Sequence, residues 1–158
     1  MKYVCPLIVV ENIKQSRFLY ETILKQKVKM DFGENVTFHG DFAIHQKEHF
    51  QGLIDDRPVL SKSNNFELYF EEDDLEETMK VLKDHQFEFV HEIREQPWKQ
   101  QVLRFYDYDQ NLIEIGERLE HVASRLSKDG FTVGEISVIT NLPVETVGKA
   151  IDEYSSAE

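Results

Sequence analysis

The chain of 158 residues holds one cysteine, one tryptophan, four prolines and seven glycines. A single cysteine excludes an internal disulfide framework and suits a reducing, cytoplasmic setting. No run of about 18 apolar residues occurs, so no membrane-spanning helix is expected. The start, Met1 to Val10, is briefly apolar, but Glu11 follows and no small-residue cleavage site is present. It reads as a first strand rather than a secretory signal. Basic residues are scarce: 18 Lys and Arg stand against 30 Asp and Glu, a formal net charge of -12. Nucleic acid and anionic membranes require a positive face, so both are disfavoured as partners. No glycine-rich phosphate cradle and no nucleophile elbow is present. None of the histidines is spaced as HxH or HExxH.

What is present is a globular pattern, 41% hydrophobic with 11 Phe and 6 Tyr. The first ~115 residues follow one order twice: strand, helix, three strands. In the first copy the spacing predicts a strand over 4–10 and a helix over 13–25 capped by Asn12. Strands are predicted over 27–32, 36–39 and 42–46, with turns at 33–35 and 40–41. Residues 47–64 read as a loop joining the copies. The second copy predicts a strand over 66–71 and a helix over 75–85 capped by Asp73 or Asp74. Its last strands are expected over 87–94, 101–106 and 112–116. Beyond 117, apolar spacing predicts three helices, with Thr132 and Glu135 placed to open the second. The last two of these helices have the spacing of a short helix-turn-helix. The would-be recognition helix carries Glu145, Asp152 and Glu153 against Lys149, so phosphate would be repelled. A helical appendage packing on the rest of the chain is the plainer expectation.

The most informative stretch runs from Trp98 to Ile115. It is an alternating strand, a polar turn over 107–111, and a strand with one carboxylate, Glu114, among Leu112, Ile113 and Ile115. Burying that charge costs several kcal/mol unless it is paired or bound. Trp98, Phe105, Asp107, Asp109, Asn111, Ile113 and Glu114 resemble the C-terminal signature of the vicinal-oxygen-chelate superfamily. That superfamily includes glyoxalase I, bleomycin-resistance proteins and extradiol dioxygenases. The signature reads Trp-Gly, an Arg, then Phe-x-Asp-Pro-Asp-Gly-Asn-x-Ile-Glu. This chain departs from it at Lys99 and Gln110, where Gly is usual, at Gln101 (usually Arg) and at Tyr108 (usually Pro). The resemblance covers about residues 3–117.

The resemblance implies an α+β fold of two βαβββ units forming an open, cupped barrel. The glyoxalase-like domain would span 1–117, with units near 1–50 and 65–117, and residues 118–158 would be a helical extension. It implies a small organic ligand in the cup and a homodimer. It also implies, for an enzyme, a divalent metal ion serving a lyase, isomerase or dioxygenase. Ligand positions on the first and last strands of each unit fall on Cys5, His45, Glu67 and Glu114, with both usual first-strand histidines absent. Glu114 would be the metal ligand or catalytic base. Leu7, Glu67, Tyr69, Trp98 and Phe105 are the expected ligand lining, Trp98 being placed to cover a bound ring. Fold does not settle chemistry here, because one scaffold carries many reactions. Three functions therefore stay open: a binder without a standard catalytic metal site, a metal-dependent enzyme, and a regulatory module with a helix-turn-helix-like tail.

Overall fold

A computed structural model describes residues 1–156; the last two positions of the expected extension lie outside the described residues. The first four-stranded sheet is built from β1 (Leu7–Val10), β2 (Val28–Asp31), β3 (Asn35–Phe38) and β4 (Ala43–Gln46), in the order β1-β4-β3-β2. β1 and β4 are parallel, with Leu7 beside Ala43 and Val9 beside His45; β2–β3 and β3–β4 are antiparallel. The second sheet repeats this plan. β5 (Glu67–Glu71), β6 (Glu88–Glu95), β7 (Gln101–Tyr106) and β8 (Leu112–Gly116) lie in the order β5-β8-β7-β6. In each copy the helix that follows the first strand lets the last strand lie parallel or adjacent to the first. The fold is thus α+β with two βαβββ units.

Helix α1 (Ile13–Arg17) starts at Asn12, whose side chain accepts from Gln15 N at 3.1 Å, as the sequence predicts. It continues over Phe18–Ile23 as a π-helix, which periodicity does not foretell. The widened turn places both Leu19 and Tyr20 in the core, each with no exposed surface. The stretch expected to be a loop contains α2 (Lys47–Leu53). Its cap is Gln46, which accepts from His49 N at 2.9 Å; Gln lies outside the usual capping set, so the start carried no signal. α3 (Leu75–Asp84) is capped by Asp74, which accepts from Glu77 N at 3.0 Å.

Chain contacts divide the molecule into two compact units. One comprises residues 1–67, 85–88 and 106–112; the other comprises 68–84, 89–105 and the chain from 113 onward. The β7–β8 turn therefore belongs to the first unit. Within it, Asn111 Nδ2 donates to Val9 O at 3.1 Å and Glu11 N donates to Asp109 at 2.7 Å. The second unit includes α4 (Leu119–Lys128), α5 (Val133–Thr140) and α6 (Val144–Ser155). These three bury Val122, Ala123, Leu126, Ile136, Val147 and Ala150 in a core of their own. Thr132 and Glu135 close the expected capping box, and Asn141 ends α5 in the left-handed region at φ 58°. Among the described residues no helix is long and apolar enough to cross a membrane.

The two departures from the glycine signature fall where glycine matters. Lys99 and Gln110 have φ of 69° and 66°. Left-handed backbone costs a non-glycine residue about 1–2 kcal/mol, while glycine's extra freedom in the unfolded chain returns about 0.5–1 kcal/mol of that. Lys99→Gly and Gln110→Gly should therefore each raise stability by up to about 1 kcal/mol, read as a higher denaturant midpoint. A fall in midpoint for both would contradict the strain assigned to these turns.

Candidate functional site

The β7–β8 hairpin sets the register. Asp107 N donates to Asn111 O at 3.0 Å, and Glu117 N donates to Gln101 O at 3.0 Å. Counting inward from the turn puts Arg104 opposite Glu114. Their side chains form an ion pair, with Glu114 only 8% exposed and the guanidinium a little over a quarter exposed. His91 on β6 completes the group. Its Nδ1–H donates to Glu92 O at 2.8 Å, so its Nε2 is free to accept from Arg104 Nη1 at 3.3 Å. That imidazole is neutral, and the cation of the group is the guanidinium.

An aromatic network occupies the same sheet face. Trp98 Nε1 donates to Gln100 Oε1 at 2.8 Å; Gln100 Nε2 donates to Tyr69 Oη at 2.9 Å and to Glu117 O at 2.6 Å. Tyr69 Oη donates onward to Glu71 at 3.3 Å. Partial burial, offset by the Gln100 bond, leaves the Tyr69 phenol raised above its ordinary value. Gly116 permits this packing: a Cβ there would meet Gln100 Nε2 at 3.0 Å, Val102 Cγ1 at 3.1 Å and Tyr69 Cε2 at 3.2 Å. Gly116, Val102, Gln100 and Tyr69 thus share a face, and strand alternation adds Glu114 and Arg104 to it. Trp98 and Tyr69 keep 40% and 46% of their surface exposed, so both have area to offer a ligand.

The other expected site residues are placed as follows. Glu67 is exposed at the start of β5, two positions before Tyr69 and on its strand face. Phe105 has no exposed surface; it points to the opposite face of β7 from Arg104 and meets the Phe89 ring at 6.3 Å between centroids. A fully covered ring has no area for a ligand, so the expected lining role of Phe105 is corrected to a core role. Leu7 is 40% exposed on β1. Cys5 lies before β1, partly buried, as a free thiol.

His45 on β4 is 7% exposed and held in a chain of ring nitrogens. Asn35 Nδ2 donates to His45 Nδ1 at 3.3 Å, and His45 Nε2–H then donates to His49 Nδ1 at 2.7 Å. The chain requires both imidazoles to be neutral. Burial, and secondarily the neighbouring His49, lower the His45 value from that of a free histidine. A base with a lowered folded value confers stability that is intact above its unfolded value. That stability is lost as the pH falls through the unfolded and then the folded value. The protein should accordingly lose more stability on acidification from about pH 7.5 to 5 than a His45→Gln variant does, measured by denaturant titration. Equal losses would show that the pair carries no such linkage.

Among the described residues no three His, Cys, Asp or Glu side chains stand together as a metal-holding group. The donor chemistry at Glu114 also does not fit a divalent ion, because its carboxylate already serves a guanidinium. In the first unit a separate hollow of about 290 Å³ is lined by Val9, Leu60, Tyr108 and Asp109 and flanked by the Lys47–Glu11 ion pair at 2.9 Å. On α6, Glu145, Asp152 and Glu153 are exposed, and Lys149 is paired with Glu145 at 2.7 Å. That face repels phosphate, in keeping with its sequence.

Sequence reasoning passed over Arg104, His91 and Gln100. The first was within reach, since counting equal steps from the 107–111 turn pairs it with Glu114. The other two come from β6 and from a bend before β7, whose geometry no local pattern specifies.

Comparison with known proteins agrees with this architecture. A family model described as a glyoxalase-like domain matches residues 3–120. A crystal structure of a protein of unknown function from Agrobacterium tumefaciens is 34% identical, covering 75% of this chain and 94% of that one, with a TM-score of 0.66. Fosfomycin resistance protein FosX from Mesorhizobium loti is 15% identical, with coverage of 74% and 92% and a TM-score of 0.56. A lactoylglutathione lyase from Agrobacterium tumefaciens is 14% identical, with coverage of 74% and 94% and a TM-score of 0.54. These last two are alike in fold alone. No curated protein sequence matches the chain. With the family model spanning most of the chain and the paired βαβββ units in place, the protein belongs to the glyoxalase-like domain family.

Proposed function

We propose that this protein binds a small organic molecule on the face of its second sheet that carries Trp98, Tyr69, Arg104 and Glu114. The observation that carries this reading is the half-exposed aromatic pair fixed by Gln100 beside a nearly buried ion pair. An aromatic surface held rigidly by hydrogen bonds loses little conformational entropy on contact, so it suits stacking against a ring. The adjoining charges orient polar groups of the same ligand. Two proteins of the same fold are named for small molecules, one as a fosfomycin resistance protein and one as a lactoylglutathione lyase. The tail supports no competing nucleic-acid reading, since its exposed helix is acidic.

Trp98 is the sole tryptophan, so its fluorescence reports on this face alone. Titration with a panel of small aromatic acids, amines and neutral ring compounds should give a saturable change for at least one class. Tyr69→Ala should weaken that binding by about tenfold, the loss of roughly 1.4 kcal/mol of stacking and positioning. A response that is unchanged in Tyr69→Ala would move the ligand elsewhere.

A further inference from the structure

We infer that Arg104 is the built-in cation of this face, filling at Glu114 the electrostatic role that a divalent ion would otherwise take. This rests on the proposed site and adds how that site recognises its ligand: by hydrogen bonds from a fixed guanidinium, with no metal bridge. The argument starts from burial. Glu114 is 8% exposed, and a carboxylate there requires a counter-charge. The hairpin register supplies one directly opposite, from a side chain whose charge is permanent. Arg104 is itself fixed on its other side by His91, whose proton lies on Nδ1 and is used by Glu92 O. The acceptor nitrogen of His91 is thereby also committed. One guanidinium engages both the Glu114 carboxylate and the acceptor nitrogen of His91, two groups that would otherwise favour a divalent ion.

A divalent ion at Glu114 would have to displace that guanidinium or stand beside it. Displacement leaves a partly buried cation without its counter-charge; adjacency places three positive charges around one carboxylate. Among the described residues no three potential ligands converge. Cation selection is therefore written into the β7–β8 hairpin. The ligand class that follows is one presenting oxygen acceptors, such as a carboxylate or carbonyl, to the exposed part of Arg104, with a ring against Trp98 and Tyr69.

The test uses manganese and zinc ions alone, by equilibrium dialysis of the full chain. Wild type, Glu114→Gln and Arg104→Lys should show the same weak uptake. Arg104→Gln should bind manganese at least tenfold more tightly than wild type, and the double variant Arg104→Gln/Glu114→Gln should lose that gain. Stoichiometric uptake by wild type that Glu114→Gln abolishes would overturn the inference, as would an Arg104→Gln protein with no gain. If Arg104→Gln fails to fold, the wild-type and Glu114→Gln comparison decides alone. Failure here is distinct from failure of the binding proposal, which is read from Trp98 fluorescence without added metal.

Discussion

Asp107→Ala should cost about 3–5 kcal/mol, a large share of the stability of a domain this size. The carboxylate is 5% exposed and accepts four hydrogen bonds. Oδ1 takes Asp109 N at 2.9 Å and Asn111 N at 2.8 Å; Oδ2 takes Tyr20 Oη–H and Asn111 Nδ2, both at 3.0 Å. Tyr20 has no exposed surface, so its hydroxyl would be left unpaired out of reach of water. Burial outweighs these bonds and pushes the Asp107 carboxyl up from its usual value; burial and the nearby carboxylate push the Tyr20 phenol well up. Asp107→Asn separates the two contributions. Its amide keeps the Oδ1 bonds but sets a donor against Asn111 Nδ2, so it should cost about 1–2 kcal/mol. An acid with a raised folded value confers stability that is full below its unfolded value and lost as the pH rises through the folded one. Wild type should therefore show a stability slope in mildly acidic solution that Asp107→Asn lacks. Urea midpoints across that range measure both effects; an Asp107→Ala loss under 1 kcal/mol would refute the turn as a structural keystone.

Glu117→Ala should be nearly as damaging, at about 3 kcal/mol. The side chain, 3% exposed by residue, accepts from Gln101 N at 2.7 Å and from Arg125 Nη2 at 2.9 Å. Arg125 Nη2 also donates to Lys99 O at 2.8 Å. One carboxylate thus ties α4 to the first residues of β7. Truncation leaves a part-buried backbone donor and a half-buried cation, and partial exposure of Arg125 keeps the cost below that of a fully enclosed pair. Removing both partners in Glu117→Ala/Arg125→Ala should cost less than the sum of the singles, which a double-mutant cycle would detect. Hydrogen exchange should quicken first in α4 to α6, whose own small core would remain while its tether is lost. Uniform quickening throughout the second unit would instead mean that the tether is part of the general core.

Much of the fold was legible because its periodicities are local. β7 and β8 match the expected bounds to the residue, since alternation and a polar turn fix both strands and their register. α5 matched because Thr132 and Glu135 announce it. α2 did not, since Gln46 caps it without belonging to the usual set, and the π-helical turn after Arg17 depends on tertiary packing of Leu19 and Tyr20. Glu114 stood out in the sequence as a charge in need of a partner. Sequence alone leaves solvent, a ligand or a metal as that partner; the structure supplies Arg104. Phe105 shows the converse error, because matching a family signature says that a residue is needed but not whether for binding or for packing.

The place of the 106–112 turn within the first compact unit has a consequence for how such a duplicated chain can be divided. An excised first half, ending anywhere before residue 106, would contain the Tyr20 phenol without its acceptor and Val9 O without the Asn111 amide. Each repeat is complete in its strand order yet incomplete in its chemistry. Gene halves cloned separately should thus yield insoluble or molten products, and should regain native order only when co-expressed.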